Sequence, residues 1–412
     1  MITRFTKWFV LILIAGVNTS FTKTSSGVLP IYFPDYEAVN YTENVVVNSE
    51  RLNLFYESLD RYVNQKQEKV VVTHIGDSHI QADFLTHTAR KLFQKTFGNG
   101  GRGFVFPFRL IRSNSPLNLG LNYTGSWESC RSISYRDNCN FGICGATATT
   151  FDSAAYLRIN PNTDGDMNYE FDRLKLFSYH TPLSFDVNLL HADSSVLDFD
   201  YQPISTSISE IYFTEMQDSL WMTFEKCEEQ GYFQLFGMSL ENSNPGLVYN
   251  AIGLNGAYAK SYLRNNFFEE QMEALESDLV IVSLGTNDTY MSEKLFCKAC
   301  FKDSYSELLG RIRRSSPTAS ILLVTPGDFY IRRRYHNNNI KEAIEAIYEL
   351  AESYDAAIWD FNKVMGGSYS IKKWRDAGLA RADLIHFSEE GYVLQGKMLY
   401  GSIMEGYEKR FD

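Results

Sequence analysis

Apolar and polar positions along the chain follow two different patterns. Residues 48–107 and 247–412 contain short, apolar, β-branched runs separated by amphipathic stretches, as in an α/β domain whose parallel strands are covered on both faces. Residues 108–246 instead alternate apolar and polar positions between turn-rich segments, which is typical of antiparallel strands. The sequence therefore predicts an α/β fold in which a β-sandwich-like domain is inserted.

Five of the apolar runs predict the parallel strands, and helical stretches lie between them. The predicted strands are Lys69–Ile75, Leu247–Ile252, Asp278–Leu284, Ser320–Thr325 and Ala356–Asp360. The predicted helices are Asn48–Gln67, Ser261–Leu275, Ser304–Arg314, Ile340–Glu352 and one that follows Ser388. The insertion is predicted to contain strands at Ala155–Ile159, Leu174–Ser178, Ser184–Leu189 and Tyr232–Leu240. Five strands with crossover helices make a small doubly wound sheet, whose ligands lie beyond the carboxyl ends of the strands.

The first 21 residues are predicted to be a signal peptide or an N-terminal anchor. Arg4 and Lys7 precede the apolar run Trp8–Val17, which is too short to span a bilayer. The segment after Val17 has a poor cleavage signature, so an uncleaved anchor stays an alternative. The sequence contains no other stretch long and apolar enough to span. We therefore expect an exported protein, periplasmic or extracellular.

The charge balance argues against one class of partner. The chain has 39 Lys and Arg against 50 Asp and Glu, a formal net charge of -11. A nucleic-acid-binding protein needs cations to replace the counterions of the phosphates, so we expect no nucleic-acid partner. Aromatic residues make up 15% of the chain, which suits β-structure and leaves side chains that could stack on a sugar.

Six cysteines are compatible with export. They are Cys130, Cys139, Cys144, Cys227, Cys297 and Cys300. An even number in an oxidising compartment predicts disulfides, whose pairing the sequence leaves open, with a local bridge expected in the Cys297-x-x-Cys300 segment. Zinc binding at Cys139 and Cys144 is a weaker alternative, since no second close pair accompanies them.

Small and polar residues follow several of the predicted strands. They form four segments along the chain: Gly76-Asp77-Ser78 after the first strand, Gly253-Leu-Asn-Gly256 after the second, Gly285-Thr-Asn287-Asp288 after the third, and Asp383-Leu-Ile-His386 near the C-terminus. A serine at a strand–helix turn can expose its hydroxyl above the sheet. Asp383 is close enough to His386 to orient its imidazole. The other histidines are predicted to be structural, because none has a carboxylate at comparable turn spacing: His74, His79, His87, His180, His191 and His336.

These four segments in this order resemble the SGNH hydrolases, also called GDSL-type esterases. The resemblance implies a flavodoxin-like fold and a serine esterase. It implies that Ser78 is the nucleophile, His386 the general base and Asp383 its orienting carboxylate. It also implies that Gly256 and Asn287 are oxyanion donors together with the backbone N–H of Ser78. No metal and no organic cofactor is needed.

The extended segment Gly76-Asp-Ser-His-Ile-Gln-Ala-Asp-Phe84, together with Gly98-Asn-Gly-Gly-Arg-Gly-Phe104, is similar to the periplasmic peptidoglycan O-acetylesterases. These enzymes carry a carbohydrate-binding-like β-domain between their first and second α/β blocks. The resemblance implies a hydrolase domain at residues 22–107 plus 247–412 and an inserted domain at 108–246. It also implies an acetylated glycan, such as peptidoglycan, as the substrate.

Other functions are compatible with the same segments. The acyl group could be transferred to a glycan hydroxyl instead of to water, or the natural ester could be a different carbohydrate or acyl ester. A third alternative is a glycan-binding protein with a weak active site. The presence of Ser78, Gly256, Asn287, Asp383 and His386 together disfavours the third alternative.

Overall fold

The computed structural model describes residues 31–65, 69–134, 139–161, 165, 167–181, 183–191, 195–227 and 229–411. The predicted signal peptide or anchor, residues 1–21, lies outside these ranges. Within them, no helix has both the length and the apolar character needed to cross a bilayer.

The described residues contain nineteen β-strands. In chain order they are β1 (Val46–Val47), β2 (Lys69–Gly76), β3 (Gly101–Val105), β4 (Gly120–Thr124), β5 (Glu128–Arg131), β6 (Ala146–Thr150), β7 (Tyr156–Asn160), β8 (Phe171–Ser178), β9 (Asp186–Leu190), β10 (Phe199–Pro203), β11 (Ile208–Gln217), β12 (Leu220–Glu225), β13 (Phe233–Glu241), β14 (Gly246–Gly253), β15 (Leu279–Ser283), β16 (Ser320–Val324), β17 (Tyr330–Ile331), β18 (Tyr335–His336) and β19 (Ala357–Trp359).

The helices of the described residues fall almost entirely outside the β-rich insertion. They are α1 (Asn53–Gln65), α2 (Ser78–Gln81), α3 (Phe84–Phe97), α4 (Ala259–Tyr262), α5 (Phe268–Glu273), α6 (Thr286–Thr289), α7 (Lys298–Ser315), α8 (Asn339–Ser353), α9 (Phe361–Val364), α10 (Ser370–Asp376) and α11 (Glu389–Glu408). Short 3-10 turns cover Tyr41–Glu43, Ser49–Leu52 and Phe108–Ile111.

The central sheet has the strand order β1-β19-β16-β15-β2-β14. Five of its strands run parallel and coincide with the five predicted ones, which confirms the predicted doubly wound parallel sheet. The sixth, β1, was not predicted. It pairs antiparallel with β19 over only two residues, too few for any periodicity to show in the sequence.

The two faces of the sheet are covered by different helices. On one face, α1, α3 and α11 bury aromatic and aliphatic side chains such as Phe55, Phe93 and Met398 against β2 and β14. On the other face, α5, α7 and α8 bury Phe268, Leu308 and their neighbours. Burial on both faces explains why the parallel strands are continuous apolar runs and not alternating ones.

Two antiparallel sheets follow α3. One has the order β10-β11-β8-β13-β6-β5, with β3 also paired to β13, and the other has the order β4-β7-β12-β9. Their apolar faces share one core, in which Phe224 of β12 lies 4.6 Å from Phe233 of β13 between ring centroids. The additional antiparallel domain is thus observed.

The antiparallel sheets begin earlier than the predicted boundary at residue 108. Gly101–Val105, assigned by sequence to the α/β part, is β3 and pairs with β13. Its first and third residues, Gly101 and Gly103, have φ of 127° and 76°, a region that favours glycine. The pattern concealed a strand because glycines are not typical strand residues.

The antiparallel domain packs firmly against the α/β layer. Phe236 of β13 lies 5.1 Å from Phe267, just before α5, and the Arg264 guanidinium donates to the Ser132 carbonyl at 2.7 Å. The Gln271 side chain accepts a 2.8 Å hydrogen bond from the N–H of Ile143. Apolar residues of both parts belong to one continuous core. The two parts are therefore held in a fixed relation by packing as well as by chain connections.

Four of the six cysteines form local disulfides. Cys130 pairs with Cys139, and Cys297 pairs with Cys300, as expected for the C-x-x-C segment. Cys144 is buried and Cys227 exposed, both as free thiols. The alternative metal site at Cys139 and Cys144 is wrong, because the Cys139 sulfur is bonded to Cys130.

Candidate active site

The register of the parallel strands brings three loops to one point. Gly76, the last residue of β2, lies beside Gly253 at the end of β14 and Ser283 at the end of β15. The segments that follow these three residues carry Ser78, Gly256 and Asn287. The predicted site residues therefore meet at the carboxyl edge of the sheet, where ligands of doubly wound folds bind.

Ser78, His386 and Asp383 form a hydrogen-bonded chain. The Ser78 Oγ is 3.0 Å from the His386 Nε2, and the His386 Nδ1 is 2.9 Å from the Asp383 Oδ2. The other carboxylate oxygen of Asp383 accepts the backbone N–H groups of Ile385 and His386, each at 2.9 Å. Asp383 thus fixes both the ring and the backbone of the loop that carries the histidine. This geometry suits proton transfer from the serine hydroxyl to the imidazole.

The surroundings of His386 and Asp383 lower the pKa of both side chains. Burial and the nearby charge of His79 hold the pKa of His386 below its usual value, against the opposing pull of Asp383. Burial alone would raise the pKa of Asp383, but hydrogen bonds from the backbone and ring of His386 and from the N–H of Ile385 outweigh it and lower the pKa. Near neutral pH the arrangement therefore favours a neutral imidazole beside an ionised carboxylate, the state needed in a general base and its partner.

An open cleft of about 600 Å³ lies above these residues. Its walls include Ser78, Gly256, Asn287 and His386, while Asp383 lies behind the histidine ring. Gly256 has a φ of 81°, and a Cβ there would approach the Ile133 side chain to 3.3 Å. The structure thus brings all five predicted site residues together, four of them on the cleft wall.

The amide of Asn287 is held by two acceptors. Its Nδ2 donates to the Ala257 carbonyl at 2.9 Å and, over a longer 3.3 Å, to the Asp77 Oδ2. The next residue, Asp288, accepts the N–H of Ala259 at 3.0 Å, and burial raises the pKa of its carboxyl to about 7. These bonds tie the turn that bears Asn287 to the segment that follows Gly256.

His79 belongs to the site, although the sequence analysis assigned it a structural role for lack of a carboxylate. Asp77, only two residues earlier, accepts from both the backbone N–H of His79 at 2.9 Å and its Nδ1 at 2.7 Å. The Nε2 faces the carbonyl of Ile385 at 3.3 Å, and the ring centroid is 5.3 Å from that of His386. Burial would lower the pKa of His79, but Asp77 outweighs it and raises the pKa. The prediction that His79 lacks a nearby carboxylate was wrong.

Gln81 is a second residue that sequence reasoning missed. Its side chain is buried, and its Oε1 accepts the N–H of Asn255 at 2.7 Å. Its Nε2 donates to the Ser113 Oγ at 2.9 Å and to the Asn114 carbonyl at 2.7 Å. One side chain therefore joins the helix that begins at Ser78, the loop that carries Gly256, and the 113–115 segment on the cleft wall.

Residues 213–394 match the model of the GDSL-like lipase/acylhydrolase family. The chain carries a GDSL-type acylhydrolase domain. The match contains Gly256, Asn287, Asp383 and His386, whereas Ser78 precedes it. It confirms the predicted class of enzyme, a carboxylic ester hydrolase of the SGNH type. No curated protein sequence is significantly similar to the chain.

Solved structures match different shares of this chain. A structure of a peptidoglycan O-acetylesterase superposes with a TM-score of 0.71 and 23% identity, over 86% of this chain and 96% of that one. A lipase/acylhydrolase from Enterococcus faecalis matches 40% of this chain and 77% of its own, with 20% identity and a TM-score of 0.32. A family two carbohydrate esterase from Cellvibrio japonicus matches 71% and 100%, with 9% identity and a TM-score of 0.29. The first comparison shows one architecture over most of the length of both chains.

The remaining described histidines lie apart from the cleft wall of the GDSL-type site. His74 is buried between the Tyr249 hydroxyl at 2.8 Å and the Ser283 Oγ at 2.6 Å. The Nε2 of His336 is 2.8 Å from the Asp328 Oδ1, a carboxylate eight residues away and therefore outside the turn spacing that the sequence interpretation considered. Among the residues that the structure describes, no three His, Cys, Asp or Glu side chains are grouped to hold a metal ion.

Proposed function

We propose that the protein is an exported serine esterase that removes O-acetyl groups from a glycan, with peptidoglycan as its substrate. Ser78 is the nucleophile, His386 the general base and Asp383 its orienting carboxylate. The observation that carries the proposal is the continuous hydrogen-bonded chain from the Ser78 Oγ through the His386 ring to the Asp383 carboxylate, at the wall of an open cleft.

The reaction begins with attack of the Ser78 Oγ on the ester carbonyl carbon. The His386 Nε2 takes the hydroxyl proton and then donates it to the sugar oxygen that leaves. The acyl-serine that remains is hydrolysed by a water molecule, which His386 deprotonates in the same way. Acetate and the free sugar hydroxyl are the products. Asp383 holds the imidazole in the required tautomer and stabilises the imidazolium that forms twice in each turnover.

The tetrahedral intermediate carries a negative oxygen that needs donors. We assign this role to the backbone N–H groups of Ser78 and Gly256 and to the side-chain amide of Asn287. A donor of this kind contributes on the order of 3 kcal/mol to transition-state stabilisation. The Asn287 amide donates to the Asp77 Oδ2 over 3.3 Å, and we propose that this long hydrogen bond is exchanged for one to the oxyanion.

Three observations support the glycan and the location. The fold is that of a peptidoglycan O-acetylesterase over most of the chain, including the antiparallel domain. The cleft is open and about 600 Å³ in volume, large enough for a sugar unit that remains attached to a polymer. The two local disulfides are typical of exported proteins and agree with the apolar N-terminal segment in the sequence.

The decisive experiment measures hydrolysis of a panel of esters, as acetate released from the glycans and as p-nitrophenol released from the synthetic esters. The panel contains O-acetylated peptidoglycan, acetylated xylan, and short- and long-chain p-nitrophenyl esters. We expect acetate from peptidoglycan and from p-nitrophenyl acetate, and poor hydrolysis of long-chain esters. A folded Ser78→Ala protein should lose nearly all activity on every substrate, and an organophosphonate should label Ser78 in the native enzyme.

Three outcomes would contradict the proposal at different levels. A preference for long-chain esters with no acetate from any glycan would reject the substrate while leaving the serine chemistry intact. Full activity in the Ser78→Ala protein would reject the assigned nucleophile. Transfer of the acetyl group to an added glycan acceptor, without free acetate, would replace hydrolysis by acyl transfer.

A further inference from the structure

The cleft that contains Ser78 adjoins a second cavity. This neighbouring cavity has a volume of about 440 Å³ and shares Ala82, Phe84 and Leu117 with the wall of the first. The ring of Phe84 is stacked on Tyr392, with 6.1 Å between centroids and 11° between planes, and forms a flat surface where the two cavities meet. The two cavities are therefore neighbours along one face of the molecule, and we call the second one the lysine groove.

Two long helices form the walls of the lysine groove. Lys91 and Lys95 are one turn apart on α3, and Val393 and Lys397 are one turn apart on α11. Each pair lies on one side of its helix because residues four apart share a face. The three lysines are thus directed to one groove by the geometry of the two helices.

The groove is cationic in a protein whose net charge is -11. Its lining includes two carboxylates, those of Asp83 and Glu389. Asp83 is buried and neutralised by Arg90 at 3.0 Å and by Arg102 at 2.5 Å. Beside buried Asp83, the described lining thus combines the lysines with one surface carboxylate, that of Glu389, and Lys95 and Lys397 make the local field attractive to anions.

The walls also offer apolar surface. Phe84, Leu92, Leu117 and Val393 line the groove, and the hydrocarbon stems of the lysines add to them. An occupant with flat apolar faces and carboxylate groups matches this combination. A purely hydrocarbon acyl chain does not, because it would remove the ammonium groups from water without giving them a partner.

We propose that the lysine groove holds a stretch of the substrate polymer that bears carboxylates, adjacent to the sugar whose ester is cleaved at Ser78. The proposal deepens the proposed function and rests on it, since it specifies an anionic acetylated polymer over a neutral one. Lys95 and Lys397 supply the recognition of charge. The enzyme would thereby select its polymer through contacts outside the ester itself.

The test compares an anionic and a neutral polymer in matched variants. In Lys95→Gln/Lys397→Gln, the ratio of kcat/KM for O-acetylated peptidoglycan to that for p-nitrophenyl acetate should fall by about 3- to 10-fold, as expected for the loss of two exposed charge contacts. The same ratio for acetylated xylan should not change. Glu389→Gln should act in the opposite direction and lower the KM for peptidoglycan.

Two controls separate local from general charge effects. Lys341→Gln removes a lysine from a separate cavity lined by Asp328 and His336 and should leave the peptidoglycan ratio unchanged. Added NaCl should weaken turnover of peptidoglycan in the native enzyme and have less effect in the double variant, because salt screens exposed charges.

A binding measurement distinguishes the failure of this inference from the failure of the proposed function. Ser78→Ala protein is sedimented with insoluble peptidoglycan that has been stripped of acetyl groups, with and without the two lysine substitutions. Binding that depends on the lysines supports the groove, even if no glycan releases acetate. The inference would be overturned if peptidoglycan binding and turnover were unchanged by the two lysine substitutions and by added NaCl, whether or not peptidoglycan is the substrate.

Discussion

Replacing His79 should move the pH dependence of the enzyme, because this ring holds a charge beside His386, the proposed general base. Its Nδ1 faces the Asp77 carboxylate at 2.7 Å and its Nε2 faces the Ile385 carbonyl at 3.3 Å. Both partners are hydrogen-bond acceptors, so both ring nitrogens must carry a proton to satisfy them. His79 is therefore stabilised as an imidazolium, in agreement with its raised pKa.

The size of the effect follows from the 5.3 Å between the centroids of His79 and His386. Two unit charges at that distance repel by about 0.8 kcal/mol in water and by about 3 kcal/mol at an effective dielectric constant of 20. The His386 side chain is 33% exposed, which favours the lower value. A repulsion of about 1 kcal/mol changes the protonation equilibrium of His386 by about fivefold.

The sign of the prediction depends on which form of His386 is active. The neutral ring is the base, so activity is present above the pKa of His386 and lost as the pH falls through it. The charge on His79 disfavours protonation of His386 and extends activity to lower pH. In His79→Gln the positive charge of residue 79 is absent, whereas the negative charge of Asp77 remains. The loss of the repulsion and the remaining attraction to Asp77 both favour the protonated ring, so the pKa of His386 rises. The acidic limb of the profile should therefore move to higher pH.

The assay is kcat/KM for a small acetyl ester across the acidic range, in buffers of constant ionic strength. At pH values below the pKa of His386 in the native enzyme, kcat/KM of His79→Gln relative to the native enzyme should be about fivefold lower than the same ratio at pH 8, where His386 is neutral in both proteins. His336→Gln is the matched control, since His336 is also paired with a carboxylate, Asp328, but not in contact with His386. A limb that stays in place in folded His79→Gln protein, or moves to lower pH, would refute the reasoning.

Three further substitutions test the geometry of the site. Asp383→Asn should reduce kcat by about 10³- to 10⁴-fold with little change in KM, since the imidazole loses its orienting acceptor; near-native kcat would contradict this role. Gly256→Ala should reduce kcat by about 10²-fold, because the positive φ and the contact with Ile133 displace an oxyanion donor; a rise in KM alone would argue against it. Gln81→Ala should lower the free energy of unfolding by about 2 kcal/mol, as its hydrogen-bond partners lose a buried acceptor and donor; chemical denaturation with unchanged stability would show that they are satisfied in another way.

The parallel sheet could be predicted from sequence because burial on both faces leaves a clear signal. Val70–Val72 and Ile321–Leu323 are uninterrupted apolar runs, and each lies within an observed strand. Antiparallel strands of the inserted domain gave a weaker signal, and the glycine-rich β3 gave none. Its Gly101 and Gly103 allow close approach to neighbouring strands, a tertiary requirement that no local pattern expresses.

The same division holds in the site. Ser78, Gly256 and Asn287 could be predicted to meet because each follows a parallel strand and all such strands end at one edge of the sheet. His79 and Gln81 could not, since their partners include the Ile385 carbonyl and the Asn255 N–H. Backbone N–H and C=O groups occur in almost every residue, so the sequence does not reveal which of them a side chain will contact. Their positions are known only once the loops are folded.

The hydrogen bonds of Gln81 connect the wall of the active-site cleft to the loop that carries Gly256. Its backbone lies at the end of the helix that begins with Ser78, while its side chain holds both the Asn255 N–H and the Asn114 carbonyl. The 113–117 segment contributes Leu117 to both the active-site cleft and the lysine groove. One buried amide therefore links the 113–117 segment to the loop that carries Gly256. In the proposed mechanism, polymer contacts away from the ester lower the barrier to reaction only where their binding energy helps to hold the oxyanion donors in place.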